Sequence, residues 1–191
     1  MKTRLRLRHL DGSTSRRIKR SQGRPSLQNL CLIASLLFLT LSLTACSPEA
    51  PRLNTGDPAP GFELQRLDGN VLSFPADLSG RVVAIRFWAD WCPFCEGEMR
   101  SIEPVFLEYR DQDLTVLALN VRQDRATASN FVETLGISYD VLLDEDGAVA
   151  RSYGVSALPT TFFVDRSGKM VTRILGESTP SVFEKIVRDM L

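Results

Sequence analysis

Residues 81–95 read Arg-Val-Val-Ala-Ile-Arg-Phe-Trp-Ala-Asp-Trp-Cys-Pro-Phe-Cys, and this stretch decides the fold expected of the chain. Its first part, Arg81 to Trp88, is rich in β-branched and aromatic residues and predicts a central strand. The strand signal runs straight into Cys92 and Cys95, so we expect the next helix to begin at or near Cys92. A thiol there meets the unpaired N–H groups of a helix N-terminus, which favour negative charge.

Strand and helix signals alternate on both sides of this stretch. Before it, two β-rich runs flank Asp68-Gly69-Asn70, which predicts a hairpin of Phe62–Leu64 with Val71–Phe74. After the first helix, the pattern predicts, in order, a strand at Leu114–Val121, a helix capped by Asp124 and ending at Gly136, a strand at Asp140–Leu143, a short helix at Ala148–Tyr153, strands at Thr161–Val164 and Met170–Leu175, and a last helix from Thr179-Pro180. This order predicts an α/β fold in which helices flank a central mixed sheet.

Two helices show a clear apolar face. The helix after the cysteines is expected to turn Met99, Ile102, Phe106 and Tyr109 inward, and Pro104 is expected to kink or break it. The inward face of the last helix is expected to consist of Phe183, Ile186, Val187 and Met190.

The first 45 residues differ in charge from the remainder. Residues 1–45 contain nine Lys or Arg and one acid, whereas residues 46–191 contain 14 Lys or Arg and 22 acids. The run Leu30–Ala45 is apolar but has only 16 residues, fewer than the roughly 20 of a spanning helix. A basic segment followed by a short apolar run and small residues is typical of a secretory signal.

The apolar run ends in Leu43-Thr44-Ala45-Cys46, which resembles a bacterial lipobox. The resemblance implies cleavage before Cys46, lipid on that residue and attachment to a membrane through the acyl chains. The alternative is a short uncleaved anchor. Either one places the protein outside the cytoplasm, on the periplasmic or other extracytoplasmic face of a membrane. The expected organisation is a signal peptide at 1–45, a linker at 46–60 and a domain at 61–191.

The charge and the histidine content exclude several classes of function. An acidic domain lacks the clustered Lys and Arg that nucleic acid requires, so no nucleic-acid partner is expected. The single histidine, His9, lies in the leader. Without it, Cys-His and Ser-His-Asp catalysis and His-ligated zinc sites are excluded.

The four cysteines leave one pair for chemistry in the domain. Cys31 leaves with the signal and Cys46 takes the lipid, so Cys92 and Cys95 remain as the candidate disulfide. A bridge over two residues restricts the unfolded chain little, and zinc would need two further ligands. The sequence therefore favours a redox disulfide and calls for no cofactor and no metal.

Disulfide exchange needs a thiolate that attacks, a second thiol that resolves the mixed disulfide, and access for the substrate. Cys92 is expected to attack, and Cys95, one turn deeper, is expected to resolve. Trp91 and Phe94 flank the pair and are candidates for an apolar rim, although core packing is the alternative; for Trp88 core packing is the expectation.

Three ordered motifs resemble the thioredoxin-like proteins, and in particular their TlpA/ResA-like branch. They are the active-site segment Phe87–Cys95, the opening Gly56–Phe62, and Ala157–Phe162, which resembles the loop that holds a cis-proline. The resemblance covers about residues 55–191, with Asp124–Leu143 matching the extra helix and strand of the branch.

The resemblance implies a membrane-tethered thiol–disulfide oxidoreductase, usually a reductant in cytochrome c maturation. Its partners would be disulfides of exported proteins, apocytochrome c among them, and a membrane thiol reductase of the CcdA/DsbD type. Pro159 would be cis and face the cysteines. Trp91, Pro93, Phe94, Leu158 and Pro159 would then contact the substrate.

Two charged residues near the cysteines carry competing hypotheses. Glu98 follows Cys95 by three residues, so the two side chains are neighbours on a helix, and a partly buried carboxyl there could relay protons. Arg86 interrupts an apolar strand and needs a partner if it is buried. We hypothesise that Arg86 pairs with Glu98, which would make Glu98 a poorer proton relay. The alternatives are an Arg86 that reaches solvent and an exposed Glu98.

Other functions of the same fold remain as alternatives. An oxidant that forms disulfides differs only in the direction of electron flow. A peroxidase of this fold is disfavoured because Ala89 stands where a Thr or Ser would be needed, and a copper chaperone would hold Cu(I) between the two cysteines. Asp144-Glu145-Asp146-Gly147 hints at a calcium loop, but its later ligands are missing and a polar turn is favoured.

Overall fold

The computed structural model describes residues 53–191. The predicted signal peptide, the lipobox with Cys46, and residues 46–52 of the linker lie outside the described residues. Within residues 53–191, no helix is both long enough and apolar enough to cross a bilayer.

Seven strands and four α-helices make up the described domain. In chain order they are β1 (Phe62–Arg66), β2 (Val71–Phe74), β3 (Val82–Trp88), α1 (Cys95–Tyr109), β4 (Leu114–Val121), α2 (Arg125–Glu133), β5 (Asp140–Asp144), α3 (Ala148–Ser152), β6 (Thr160–Val164), β7 (Met170–Leu175) and α4 (Pro180–Met190). The strands form one sheet in the order β2-β1-β5-β4-β3-β6-β7. β3, β4 and β5 are mutually parallel and the other pairings are antiparallel, so the predicted mixed sheet is confirmed.

Every residue of β3 is buried, as expected of a central strand covered on both faces. Its side chains alternate between two apolar clusters. Val82, Ala84 and Trp88 belong to the cluster that includes both cysteines and the inner faces of α1 and α4. Val83, Ile85 and Phe87 belong to the cluster on the other face of the sheet. Arg86 has the parity of the first set and therefore lies on the face that carries the cysteines.

The ends of two predicted helices shift in the structure, and of the kink or break expected at Pro104 the break is excluded. α1 begins at Cys95 rather than at Cys92, because two successive turns, closed by Cys92 N–H to Ala89 O (3.2 Å) and Cys95 N–H to Cys92 O (3.1 Å), precede it. Pro104 does not break α1, which continues to Tyr109. Pro104 is exposed, so the carbonyl that loses its helical donor can be hydrated. α2 ends at Glu133, three residues before Gly136.

The end of the predicted linker is attached to the domain. Gly56 N–H donates to Met170 O at 2.7 Å, and Pro58 forms an isolated bridge with Lys169 at the start of β7. Tyr153 donates its hydroxyl to Pro60 O at 2.8 Å, and burial raises the pKa of Tyr153, which keeps that donor protonated. Ala59 is also buried. Residues 54–60 therefore form part of the folded unit.

The segment Asp144–Gly147 forms the predicted polar turn, closed by Gly147 N–H to Asp144 O at 3.0 Å. The Asp144 carboxylate is fully buried and accepts hydrogen bonds from the N–H groups of Val149 (3.1 Å) and Ala150 (2.8 Å). It thus satisfies two donors at the start of α3 that have no partner inside the helix.

We predict that Asp144→Ala lowers the free energy of unfolding by about 2–3 kcal/mol, because two buried N–H groups lose their acceptor. Urea denaturation of the oxidised protein measures the change. The matched control is Glu145→Ala, which removes an exposed neighbouring carboxylate and should shift stability by less than about 0.5 kcal/mol. Equal effects of the two substitutions would contradict this account of the turn.

Candidate active site

Cys92 and Cys95 are joined in a disulfide, with Cα atoms 5.4 Å apart. They lie where β3 gives way to α1, so the central strand places the bond at one end of the sheet. Cys95 is fully buried and Cys92 is 2% exposed. We expected Cys92 to be accessible to a substrate, but in this oxidised state it is packed in the cluster that contains Trp88 and Met99.

The residues around the disulfide are exposed. Trp91 is 68% exposed and Phe94 is 53% exposed, and Pro93 between the cysteines is also at the surface. Trp88 is fully buried, which confirms its expected place in the core. A partner therefore meets two aromatic rings and a proline before it meets sulfur.

The loop before β6 completes the surroundings of the cysteines. The Leu158–Pro159 peptide bond is cis, as the family resemblance implied. Leu158 is half-buried and packs against the cluster that contains both cysteines, while Pro159 itself is buried. A second cis bond, Phe74–Pro75, follows β2, and no signal in the sequence pointed to it.

Arg86 and Glu98 form a buried ion pair between Nη2 and Oε2, with 0% and 1% of their side chains exposed. This confirms the hypothesised pairing and excludes the solvent-directed Arg86. The second guanidinium nitrogen, Nη1, donates to Thr161 Oγ1 on β6 at 3.1 Å. Burying two charges together avoids the cost of an isolated one, and removing either partner of such a pair costs about 3–5 kcal/mol.

The remaining oxygen of Glu98 is occupied as well. Oε1 accepts hydrogen bonds from Ser178 N–H (3.2 Å) and Ser178 Oγ–H (2.8 Å), in the segment before α4. Both carboxylate oxygens therefore have donors, so the side chain of Glu98 is held in one place by Arg86 and Ser178. The proton relay at Glu98 stays a prediction.

A separate network holds the loop that leads to Cys92. Gln123 Oε1 accepts from Asp90 N–H (2.9 Å) and from Asn120 Nδ2 (2.9 Å), and Gln123 Nε2 donates to the Asp90 carboxylate. Asn120 is the fully buried penultimate residue of β4. The end of β4 therefore fixes the backbone of the active-site loop.

The helix that carries Cys95 is held from its other side by Tyr139. The Tyr139 hydroxyl donates to Met99 O at 2.8 Å. Burial raises the pKa of Tyr139, so the hydroxyl keeps its proton and remains a donor. Near the middle of the same helix, the Glu103 carboxylate accepts from Ser138 N–H (2.9 Å) and Ser138 Oγ–H (2.6 Å).

Sequence reasoning found the cysteines, the aromatic rim, the cis-proline and the Arg86–Glu98 pair. It missed Thr161, Ser178, Asn120 and Gln123, which hold those residues in place. A polar residue in an otherwise apolar strand, such as Asn120 or Thr161, was the available signal. Ser178 lies in a loop and carries no local signal.

The disulfide joins the two residues of a Cys-X-X-Cys pair, lies between the central strand and the first helix of a thioredoxin-like fold, and is followed in the chain by a cis-proline loop. Together these features define a thiol–disulfide oxidoreductase. The comparisons with known proteins agree with this class. Residues 55–173 match the AhpC/TSA family.

Curated relatives give a more particular assignment. The chain is 32% identical over 133 residues to the thiol-disulfide oxidoreductase ResA of Bacillus thuringiensis (strain Al Hakam), covering 70% of this chain and 76% of the relative. It is 31% identical over 153 residues to ResA of Bacillus subtilis (strain 168), covering 80% and 84%. The chain therefore belongs to the AhpC/TSA family and is a ResA-like thiol–disulfide oxidoreductase.

Solved structures share the same fold. A thiol:disulfide interchange protein of the thioredoxin family from Chlorobium tepidum matches with a TM-score of 0.65 and 27% identity, covering 72% of this chain and 97% of that one. The thioredoxin domain of a thiol-disulfide oxidoreductase from Bacteroides vulgatus matches with a TM-score of 0.63 and 26% identity, covering 71% and 99%.

We predict that Arg86 and Glu98 act on the thiols in opposite directions. In the reduced protein, Glu98→Gln leaves the buried Arg86 cation without its partner, on the face of β3 that carries the cysteines, and should move the pH midpoint of thiol alkylation down. Arg86→Gln leaves a buried carboxyl and should move it up. The measurement is the rate of iodoacetamide alkylation against pH.

The double variant Arg86→Gln/Glu98→Gln serves as the control, because it removes both charges and should return the midpoint toward that of the unmodified protein. Thermal melts confirm that each variant is folded. Midpoints that do not move, or that move in the same direction in both single variants, would show that the pair is only structural.

Proposed function

We propose that this protein is a membrane-tethered, extracytoplasmic oxidoreductase that reduces disulfides in exported proteins through Cys92 and Cys95. The observation that carries the proposal is the disulfide itself, bonded within a Cys-X-X-Cys pair and surrounded by the exposed side chains of Trp91, Pro93 and Phe94. An exposed apolar rim around a reactive bond suits a protein substrate, because its burial favours docking.

The reaction begins from the reduced dithiol. The Cys92 thiolate attacks one sulfur of the substrate disulfide, a mixed disulfide forms, and the other substrate sulfur leaves and takes a proton. Cys95 then loses its proton and attacks Cys92 Sγ, which releases the second substrate sulfur as a thiol. Two electrons pass to the substrate, and the Cys92–Cys95 disulfide is the product on the enzyme. A dithiol reductant must restore the starting state.

The charges around the cysteines support reduction as the direction. A protein that stabilises its own thiolates strongly becomes an oxidant. Here the buried guanidinium of Arg86 is neutralised by Glu98, so it offers little stabilisation to a thiolate.

The location and the partners rest on the sequence. The lipobox ending at Cys46 supports lipid attachment, and the signal before it supports export to an extracytoplasmic membrane face. Resemblance to the TlpA/ResA-like branch supports a task in cytochrome c maturation or a similar assembly, with apocytochrome c as a candidate substrate. It also supports a membrane thiol reductase of the CcdA/DsbD type as the electron donor.

Equilibration with glutathione buffers tests the direction. We expect a midpoint potential below about −230 mV, on the reducing side of the glutaredoxins. The fraction of oxidised protein is read from alkylated species by mass spectrometry. A value near about −120 mV, as in a strong dithiol oxidant, would reverse the proposed direction while leaving the class of enzyme intact.

A trapping experiment tests the substrate class. With Cys95→Ala, the mixed disulfide on Cys92 cannot be resolved, so substrates should accumulate as complexes that reductant releases. Expression in cells followed by non-reducing electrophoresis and mass spectrometry identifies them. Cys92→Ala/Cys95→Ala is the matched control and should trap nothing. Absence of trapped exported proteins on Cys95→Ala would refute a protein-disulfide substrate.

A further inference from the structure

A groove of about 220 Å³ lies beside the disulfide. Residues from the active-site loop, the end of β4, α3 and the cis-proline loop form its floor and sides, among them Trp91, Arg122, Gly147, Arg151, Val155 and Leu158. Trp91 adjoins Cys92, and Leu158 packs on the cluster that contains both cysteines. A segment bound in this groove therefore runs next to the reacting sulfur.

The charge of the groove is opposite to the charge of the domain. Residues 46–191 carry 14 Lys or Arg against 22 acids, yet the groove is lined by two arginines and by no carboxylate. A larger depression of about 630 Å³ on the other side of the Asp144–Gly147 turn shows the reverse, with Glu63, Asp144, Glu145 and Asp146 in its lining. The basic groove is thus a local feature rather than a consequence of composition.

Neither arginine is neutralised by a carboxylate among residues 53–191. The exposed Arg122 side chain has no hydrogen bond or ion pair there, and Arg151 donates only to the backbone oxygen of Asp146, at 2.8 Å. Among the described residues, the carboxylates of the Asp144–Gly147 turn, including the exposed Glu145, form no ion pair with Arg122 or Arg151. Asp146 accepts from Ala148 N–H, and Asp144 accepts from Val149 and Ala150. Both guanidinium groups are therefore available to an anion.

The backbone sets Arg122 in this position. Its φ is 58°, a left-handed conformation that residues with a side chain adopt rarely, and its N–H donates to Asp144 O at 2.9 Å. Its side chain crosses Gly147 so closely that a Cβ there would lie 2.7 Å from Arg122 Nε. The glycine leaves the space that the arginine occupies.

We propose that this groove selects substrate proteins whose reactive cysteine is flanked by acidic residues. The occupant is a segment of the substrate chain, which packs its apolar atoms against Trp91, Val155 and Leu158 while its carboxylates meet Arg122 and Arg151. Guanidinium groups suit carboxylates because they can donate two parallel hydrogen bonds. This selectivity rests on the proposed function, since the groove serves the exchange at Cys92.

The test uses three disulfide-bonded peptides that differ only at the two residues beside their cysteines. These two residues are both Glu in the first peptide, both Gln in the second and both Lys in the third. The reduced protein is mixed with each, and the second-order rate is divided by the rate of the same peptide with dithiothreitol. This division removes the effect of the flanking charge on the leaving thiol. We expect the Glu peptide to react about tenfold faster than the Lys peptide at low salt, and about 0.5 M salt to reduce that preference. The long-range field of an acidic domain alone gives the opposite order.

Substitutions distinguish the effect of the groove on the peptide preference from the effect of charges elsewhere in the domain. Arg122→Gln/Arg151→Gln should lower the Glu-to-Lys ratio to one or below, since the field of the acidic domain then remains alone. Arg122→Glu/Arg151→Glu should lower the ratio further and make the Lys peptide clearly the faster one, a gain that misfolding cannot imitate. Lys169→Gln is the control, since it removes one positive charge in the β6–β7 turn at the opposite end of β3 from the cysteines, and it should leave the ratio unchanged.

Equal rates for all three peptides would overturn the selectivity and leave the oxidoreductase function standing. Loss of rate toward every peptide alike in the charge-reversed variant, or an equal change in Lys169→Gln, would also overturn it. A protein that reacts with none of the peptides would overturn both this proposal and the proposed function.

Discussion

The buried pair of Arg86 and Glu98 is the constraint on which the active site depends. It joins the central strand to the helix that carries Cys95, while Thr161 ties it to β6 and Ser178 ties it to the segment before α4. Two charges removed from water cost least when each pairs with the other and most of their remaining polar atoms have hydrogen-bond partners. Four parts of the chain must therefore come together in one arrangement before the cysteines are in place. One atom, Arg86 Nε, stays buried without a hydrogen bond among the described residues.

The surroundings of the disulfide combine burial of the cysteines with exposure of their neighbours. Both sulfur-bearing residues are buried, whereas the residues that surround them, Trp91 and Phe94 above all, are exposed. A partner that reaches the bond therefore meets the exposed aromatic rings of Trp91 and Phe94. Charge is used locally: a neutralised cation lies beneath the helix, and two arginines without carboxylate partners line the groove beside it. The acidic surface elsewhere in the domain says little about what this end of the molecule binds.

Local patterns predicted the elements well and their ends less well. The alternation of strands and helices, the hairpin, the Asp124 cap, and the start of α4 at Pro180 all appear in the structure, with Asp124 accepting from Thr127 N–H at 2.8 Å. The start of α1 was placed three residues too early because the turns through Cys92 and Pro93 have the residue types of a first helical turn. Residues 54–60 have a linker composition, yet their backbone groups pair with β7. Composition does not reveal such pairing across the fold.

The sequence by itself determined the reactive pair, the strand that presents it, the cis-proline motif and the need for a partner at Arg86, because these depend on residue type and on spacings of a few positions. The tertiary structure alone decided which residues complete the site. Ser178 lies 80 residues from Glu98, Thr161 lies 75 from Arg86, and Gln123 lies 33 from Asp90. The basic groove likewise joins the end of β4 to α3 and to the loop before β6. Such contacts depend on strand register and helix packing, which bring distant residues together only when the chain is folded.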